Sequence, residues 1–112
     1  MKEIKVYIRP EVADRVISAL ELNGAKGMTV IDVSTLGGWV DPEGSQVSIE
    51  YCEKYSSSVK IELVCEDHDL DKFISLILDK AHTGRKGDGK IFVSDISEAV
   101  SIRTRRRGAE AL

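Results

Sequence analysis

The chain has 112 residues, 42% of them hydrophobic and 31% charged, with a formal net charge of −3. These proportions are those of one folded globular domain over residues 1–112 and exclude a disordered, low-complexity chain. The acidic balance argues against a dedicated nucleic-acid binder, and no apolar run approaches the ~20 residues of a membrane span.

Met1 to Pro10 alternates charged and apolar residues and lacks the apolar core of a secretory leader, so a cytoplasmic protein is expected. Lys2 to Arg9 places Ile4, Val6 and Ile8 on one face, the pattern of a half-buried strand. Pro10 suits the first turn of a helix, where its missing N–H is no loss. Val12, Val16, Ile17 and Leu20 then recur at helical spacing, and Asn23-Gly24 stops the helix. Gly27 to Leu36 is a second strand. A third runs from about Tyr51 to Cys65, with Val59, Ile61 and Leu63 alternating. Asp67 or Asp69 can cap a second helix that carries Leu70, Phe73, Ile74, Ile77 and Leu78. Lys90 to Val93 opens a fourth strand, and Ile96 to Val100 suits a short helical turn.

The order β-α-β-β-α-β is that of the split βαβ, or ferredoxin-like, α+β fold. It predicts a four-stranded antiparallel sheet with both helices on one face. Val59, Ile61 and Leu63 beside Val64 make both faces of the third strand apolar, so the open face is expected to be buried against other subunits. Cys52 and Cys65 are too few and too isolated for a disulfide framework or a metal site. His68 and His82 lack ligand spacing with any cysteine or carboxylate cluster, so both are read as surface or capping residues and no metal-ligating residue is assigned. No nucleophile–base pair is visible, and no catalytic residue is assigned.

Two loops remain. Thr35 to Ser58 contains Gly37-Gly38-Trp39, Asp41-Pro42-Glu43-Gly44-Ser45 and Ser56-Ser57-Ser58. A connection this long in a compact domain is either functional or disordered. Trp39, the only tryptophan, suits an interface anchor; its alternative is a ring folded back onto the domain. The second loop, Thr83-Gly84-Arg85-Lys86-Gly87-Asp88-Gly89-Lys90, is a glycine-rich turn that runs into a strand. Successive N–H groups in such a turn form an anion-binding concavity, and a lysine supplies a mobile point charge for phosphate. It is not a Walker A loop, because Ile91 follows Lys90. A hairpin turn that needs glycines only for its geometry is the competing reading, and composition leaves both open.

The order of residues in that turn, T-G-x-x-G-D-G-K-I-F-V, resembles the C-terminal signature of the PII signal-transduction family. Gly27-Met28-Thr29-Val30, Val59-Lys60-Ile61-Glu62-Leu63-Val64, Ile102-Arg103-Thr104 and Ile8-Arg9-Pro10 resemble further family segments, in the family's order. The resemblance implies a homotrimer with adenine nucleotide, ATP, ADP or AMP, bound between subunits. It places Gly87, Asp88, Gly89 and Lys90 around the phosphates and Gly37 and Val64 near the base or ribose. Gly27, Met28, Thr29, Glu62 and Arg103 would come from the adjoining subunit. Residues 35–58 correspond to the family's T-loop, with Gly38, Trp39 and Tyr51 as candidate partner contacts, and residues 101–112 form a C-terminal tail. The implied partner is a protein such as a membrane transporter or an enzyme.

The chain also departs from the family pattern. A glutamine and a lysine that serve magnesium and 2-oxoglutarate in typical members are matched here by Trp39 and Ser58, and a second arginine by Ser101. A weak or lost 2-oxoglutarate response is therefore expected, and magnesium binding is left open. Tyr51 lacks the surroundings of the family's modified tyrosine and suits a strand. Arg105, Arg106 and Arg107 can compensate at the nucleotide or form a solvated tail. The alternatives are a related regulator of another metabolite, such as bicarbonate or a cyclic nucleotide, a slow ATP-hydrolysing enzyme, and a purely structural trimer.

Overall fold

The structure, a computed structural model, describes residues 1–48, 50 and 53–112; Tyr51 and Cys52 lie outside the described residues. Strand β1 (Lys2–Ile8) leads to helix α1 (Pro10–Leu22), then β2 (Thr29–Leu36), β3 (Gln46–Ser48), β4 (Glu53–Cys65), α2 (Leu70–Ala81) and β5 (Gly89–Asp95). The sheet order is β2-β4-β1-β5, with every pairing antiparallel. This is the ferredoxin-like α+β arrangement. A short fifth strand, β3, joins the four expected ones by pairing with β4.

One-residue alternation decides which side chains meet the helices. Ile4, Val6 and Ile8 of β1 lie beside Leu63, Ile61 and Val59 of β4, and all six are buried. Val12, Val16 and Leu20 of α1 and Phe73, Ile77 and Ala81 of α2 close over them. Arg9 is extended ahead of Pro10, as the residue before a proline prefers to be, and the helix starts at once. Asn23 ends α1 by donating its Nδ2 to the Ala19 carbonyl at 2.8 Å.

The second helix differs from its sequence reading in its capping. Neither Asp67 nor Asp69 caps it through its side chain. Asp67 accepts the N-terminal ammonium at 2.8 Å and Asp69 pairs with Lys72 at 3.2 Å, so both carboxylates are engaged elsewhere. Leu78 stands off the core face, 57% exposed. With Ile74 and the β5 residues Ile91 and Val93 it lines a groove of about 490 Å³.

The chain after β5 forms no helix over Ile96–Val100. The Ile96 N–H bonds back to the Met1 carbonyl, and Val100 bridges Arg107, folding the tail into a loop that ends in a single turn at Gly108–Ala111. The open face of the sheet carries Tyr7, Lys60, Glu62 and the exposed Phe92, whereas Val30 and Val93, exposed in the single chain, stand on the opposite face in register with Ile61 and Ile4. Among the described residues, no helix is long and apolar enough to cross a membrane.

Candidate functional site

The glycine-rich turn enters β5 directly beside the end of β1. Gly89 lies opposite Ile8, and Lys90 opposite Tyr7. Gly89 has φ +110°, and a Cβ there would stand 1.7 Å from the Tyr7 carbonyl oxygen. Strand closure therefore demands glycine at this position.

Asp88 organises the turn rather than facing solvent. Its carboxylate accepts the Thr83 N–H at 2.8 Å, the Gly84 N–H at 2.9 Å and the Thr83 hydroxyl. It also takes the Arg9 Nε–H at 3.0 Å. Burial works to raise this carboxyl, but the hydrogen bonds from Thr83, Arg9 and Gly84 outweigh it and hold the group well below the ordinary carboxylate range. The family resemblance puts Asp88 at the phosphates; within the chain its lone pairs are taken up by the turn itself.

Arg9 is the residue that sequence reasoning missed. It is only 4% exposed, and its planar fork is shared among three segments. Nε donates to Asp88, Nη1 to Asp41, and Nη2 to the Lys86 carbonyl at 2.9 Å. A buried guanidinium demands such compensation. Asp41 in turn accepts the Glu43 N–H at 2.9 Å. The Asp41 carboxyl is lowered chiefly by the Arg9 hydrogen bond. The base of the long loop is thus held against the glycine turn. A polar cavity of about 190 Å³ lies beside it, lined by Arg9, Asp41, Ser56, Ser57, Ser58 and Gly87.

Both carboxyls sit lower in the folded chain than the ~3.9 of an unfolded aspartate. Their stabilisation is present above that value and lost as the pH falls below it. Urea midpoints are therefore expected to hold steady from about pH 7 to 5 and to drop below about pH 4. The double variant Asp41→Asn, Asp88→Asn should show a shallower acid slope.

Trp39 folds back onto the sheet. A single turn at Gly37–Trp39 sets its ring 5.5 Å from Phe92 at 30° and 6.1 Å from Tyr7. The Lys90 ammonium lies 5.9 Å from the Trp39 ring centroid. Ser58 shares a 2.9 Å hydrogen bond with Thr35 across β2 and β4. A Cβ added at Gly37 or Gly38 would meet no atom within 4 Å, so the space around this turn is open.

The remaining expected site residues lie elsewhere. Thr29 is opposite Glu62 in the β2–β4 ladder, and Gly27 and Met28 immediately precede it. Glu62 pairs with Lys60 at 2.6 Å, which lowers its carboxyl. Val59, level with Gly89 through Ile8, is three residues from Glu62, roughly 10 Å along the strand. Val64 is farther still, opposite Glu3. Arg103 is exposed in the tail that follows the far end of β5. Within one chain, Gly37, Trp39, Gly87, Asp88, Gly89 and Lys90 come together, whereas Gly27, Met28, Thr29, Glu62, Val64 and Arg103 do not join them.

One local cluster escaped the spacing argument for the histidines. Donor atoms of Glu66, His68 and Asp69 lie within 4.8 Å of one another, because the turn at Asp67–Asp69 brings them to one side.

Comparison with known proteins gives a consistent result. The family model for nitrogen regulatory protein P-II matches residues 1–106. Nitrogen regulatory protein P-II 1 of Methanothermobacter thermautotrophicus is 39% identical over 112 residues, covering 100% of this chain and 97% of that protein. The nitrogen regulatory proteins P-II of Azospirillum brasilense and Rhodospirillum rubrum are 40% and 41% identical, each over the full length of both chains. With fold, glycine turn and full-length likeness in agreement, the chain belongs to the nitrogen regulatory protein P-II family.

Proposed function

We propose that this chain is a cytoplasmic, homotrimeric signalling protein that takes an adenine nucleotide between subunits and acts on a partner protein through the loop over residues 35–58. The observation that carries this reading is the glycine turn. Asp88 and Arg9 hold it in shape, and it delivers the exposed Lys90 beside Trp39 at the base of the long loop. A glycine turn fixed in shape next to a cation suits a polyphosphate. The separation of Thr29, Glu62 and Arg103 from this turn fits a site completed by a second subunit. The exposed apolar residues Val30, Leu36, Phe92 and Val93 fit the same assembly. Sedimentation should give a trimer at micromolar protein; a monomer there would remove the shared site.

Calorimetric titration with ATP, ADP and AMP tests the nucleotide. Lys90→Ala is expected to weaken ATP by about tenfold or more, from a charged hydrogen bond worth roughly 1.5–3 kcal/mol. Parent-like affinity in that variant would place the phosphates elsewhere.

The 2-oxoglutarate response is expected to be weak or lost. Trp39 is stacked on Phe92 and offers no side-chain carbonyl for magnesium, and the Ser58 hydroxyl is engaged by Thr35 and carries no charge. Coupling between two ligands is a shared free energy, so a ligand without binding energy has nothing to share. Millimolar 2-oxoglutarate in magnesium buffer should not tighten ATP binding appreciably. A gain of about tenfold would show that other residues rebuild the site.

A further inference from the structure

We propose that Arg9 and Asp41 form a clasp that ties the position of the long loop to the shape of the glycine turn. Three segments far apart in sequence meet at one guanidinium. Asp41 comes from the long loop, Asp88 and Lys86 from the glycine turn, and Arg9 from the junction of β1 and α1. Arg9 is buried at 4% exposure, while the side chains of Asp41 and Asp88 are 15% and 23% exposed. Its N–H groups are fixed in one plane, so it satisfies all three acceptors only when loop and turn occupy these positions together.

Packing adds a second link. Gly87 has φ +105°, and a Cβ there would lie 2.8 Å from the Asp41 Cβ and 2.9 Å from its Cα. The turn and the loop are therefore in backbone contact, with no room between them for a side chain. Arg85 reinforces the join by reaching Glu43 at 3.4 Å. A change in the turn that moves Asp88 or Gly87 must disturb Asp41, and a loop pulled away by a partner must disturb the turn. Two alternative states of the clasp follow: closed, with Asp41 on Arg9, and open, with Asp41 in solvent and Arg9 held by the turn alone. The coupling of this clasp to nucleotide rests on the proposed function; the clasp itself does not.

Trp39, the only tryptophan, is two residues from Asp41 and reports on the loop base. Asp41→Asn and Asp41→Ala are the test variants, chosen because Asp41 is a loop residue outside the hydrophobic core. Without ligand, both should raise acrylamide quenching of Trp39 by about twofold or more and speed hydrogen exchange over residues 39–47. Unchanged quenching together with unchanged exchange would overturn the clasp. With ATP added, the parent should show a change in Trp39 emission that Asp41→Asn loses while keeping ATP affinity within about threefold. The same emission change in Asp41→Asn as in the parent would overturn the coupling. If the parent bound no adenine nucleotide, the proposed function would fall, and the clasp would stand or fall on the ligand-free comparison.

Discussion

Gly89→Ala is expected to prevent β5 from closing onto β1 and to leave the chain largely unfolded. The added methyl would sit 1.7 Å from the Tyr7 carbonyl oxygen and 2.7 Å from its carbon, both backbone atoms held in the sheet. No rotamer change relieves such an overlap. The backbone is also at φ +110°, a region that costs an alanine further strain. The register Ile8↔Gly89 would have to break, and with it the start of the ladder that continues through Tyr7↔Lys90 and Val6↔Ile91. A loss of more than about 4 kcal/mol removes a large part of the stability of a domain this size. Circular dichroism and thermal unfolding read the result directly. Gly27→Ala is the matching control: no atom lies within 4 Å of its Cβ position, and its φ is outside the left-handed region. Its stability should stay within about 0.5 kcal/mol of the parent. A Gly89→Ala chain that melted like the parent would mean that the turn enters the sheet differently.

The contrast between these glycines shows what the sequence made legible and what it hid. The turn announced itself through its glycines and Lys90, but both readings of those glycines stood level on composition. Geometry divides them: Gly89 serves strand closure, Gly87 serves contact with Asp41, and Lys90 stands exposed beside Trp39. The strands were readable because alternation is local, and Ile4, Val6 and Ile8 point where their spacing says. Spacing alone does not separate the stripe of Ile74 and Leu78, which faces the groove, from Phe73 and Ile77, which face the core. Asp67 and Asp69 had the right composition for caps, yet the N-terminal ammonium and Lys72 compete for them. Trp39 could anchor a partner or fold back; the nearby Phe92 and Tyr7 rings, remote in sequence, decide for the sheet in this state.

Arg9 was hidden for a related reason. An arginine before a helix-starting proline has the look of a solvated surface charge. Its partners Asp41 and Asp88 are 32 and 79 residues away, in loops whose acidic residues suggest turns. The only local hint is position: Arg9 follows the last buried strand residue, Ile8, where the chain has not yet reached the surface.

Arg9→Met is accordingly expected to be the most damaging substitution of a charged residue. Methionine fills part of the volume, but Asp41 and Asp88 would lose their shared cation and be left as two carboxylates around one gap. Removing one partner of a buried ion pair typically costs about 3–5 kcal/mol, since the charge left behind is uncompensated. Asp88 keeps its bonds from Thr83 and Gly84, which places the expected loss nearer about 3 kcal/mol. Arg9→Lys should recover only part of it, because a single ammonium cannot reach three acceptors spread around one plane. The combined variant is a sharper test. If the damage in Arg9→Met comes from stranded carboxylates, then adding Asp41→Asn and Asp88→Asn removes the stranded charge, and the triple variant should be less destabilised than the sum of its parts. Urea unfolding at pH 7 measures each member. Strict additivity, or a parent-like midpoint for Arg9→Met, would mean that the guanidinium is not the centre around which loop and turn are held.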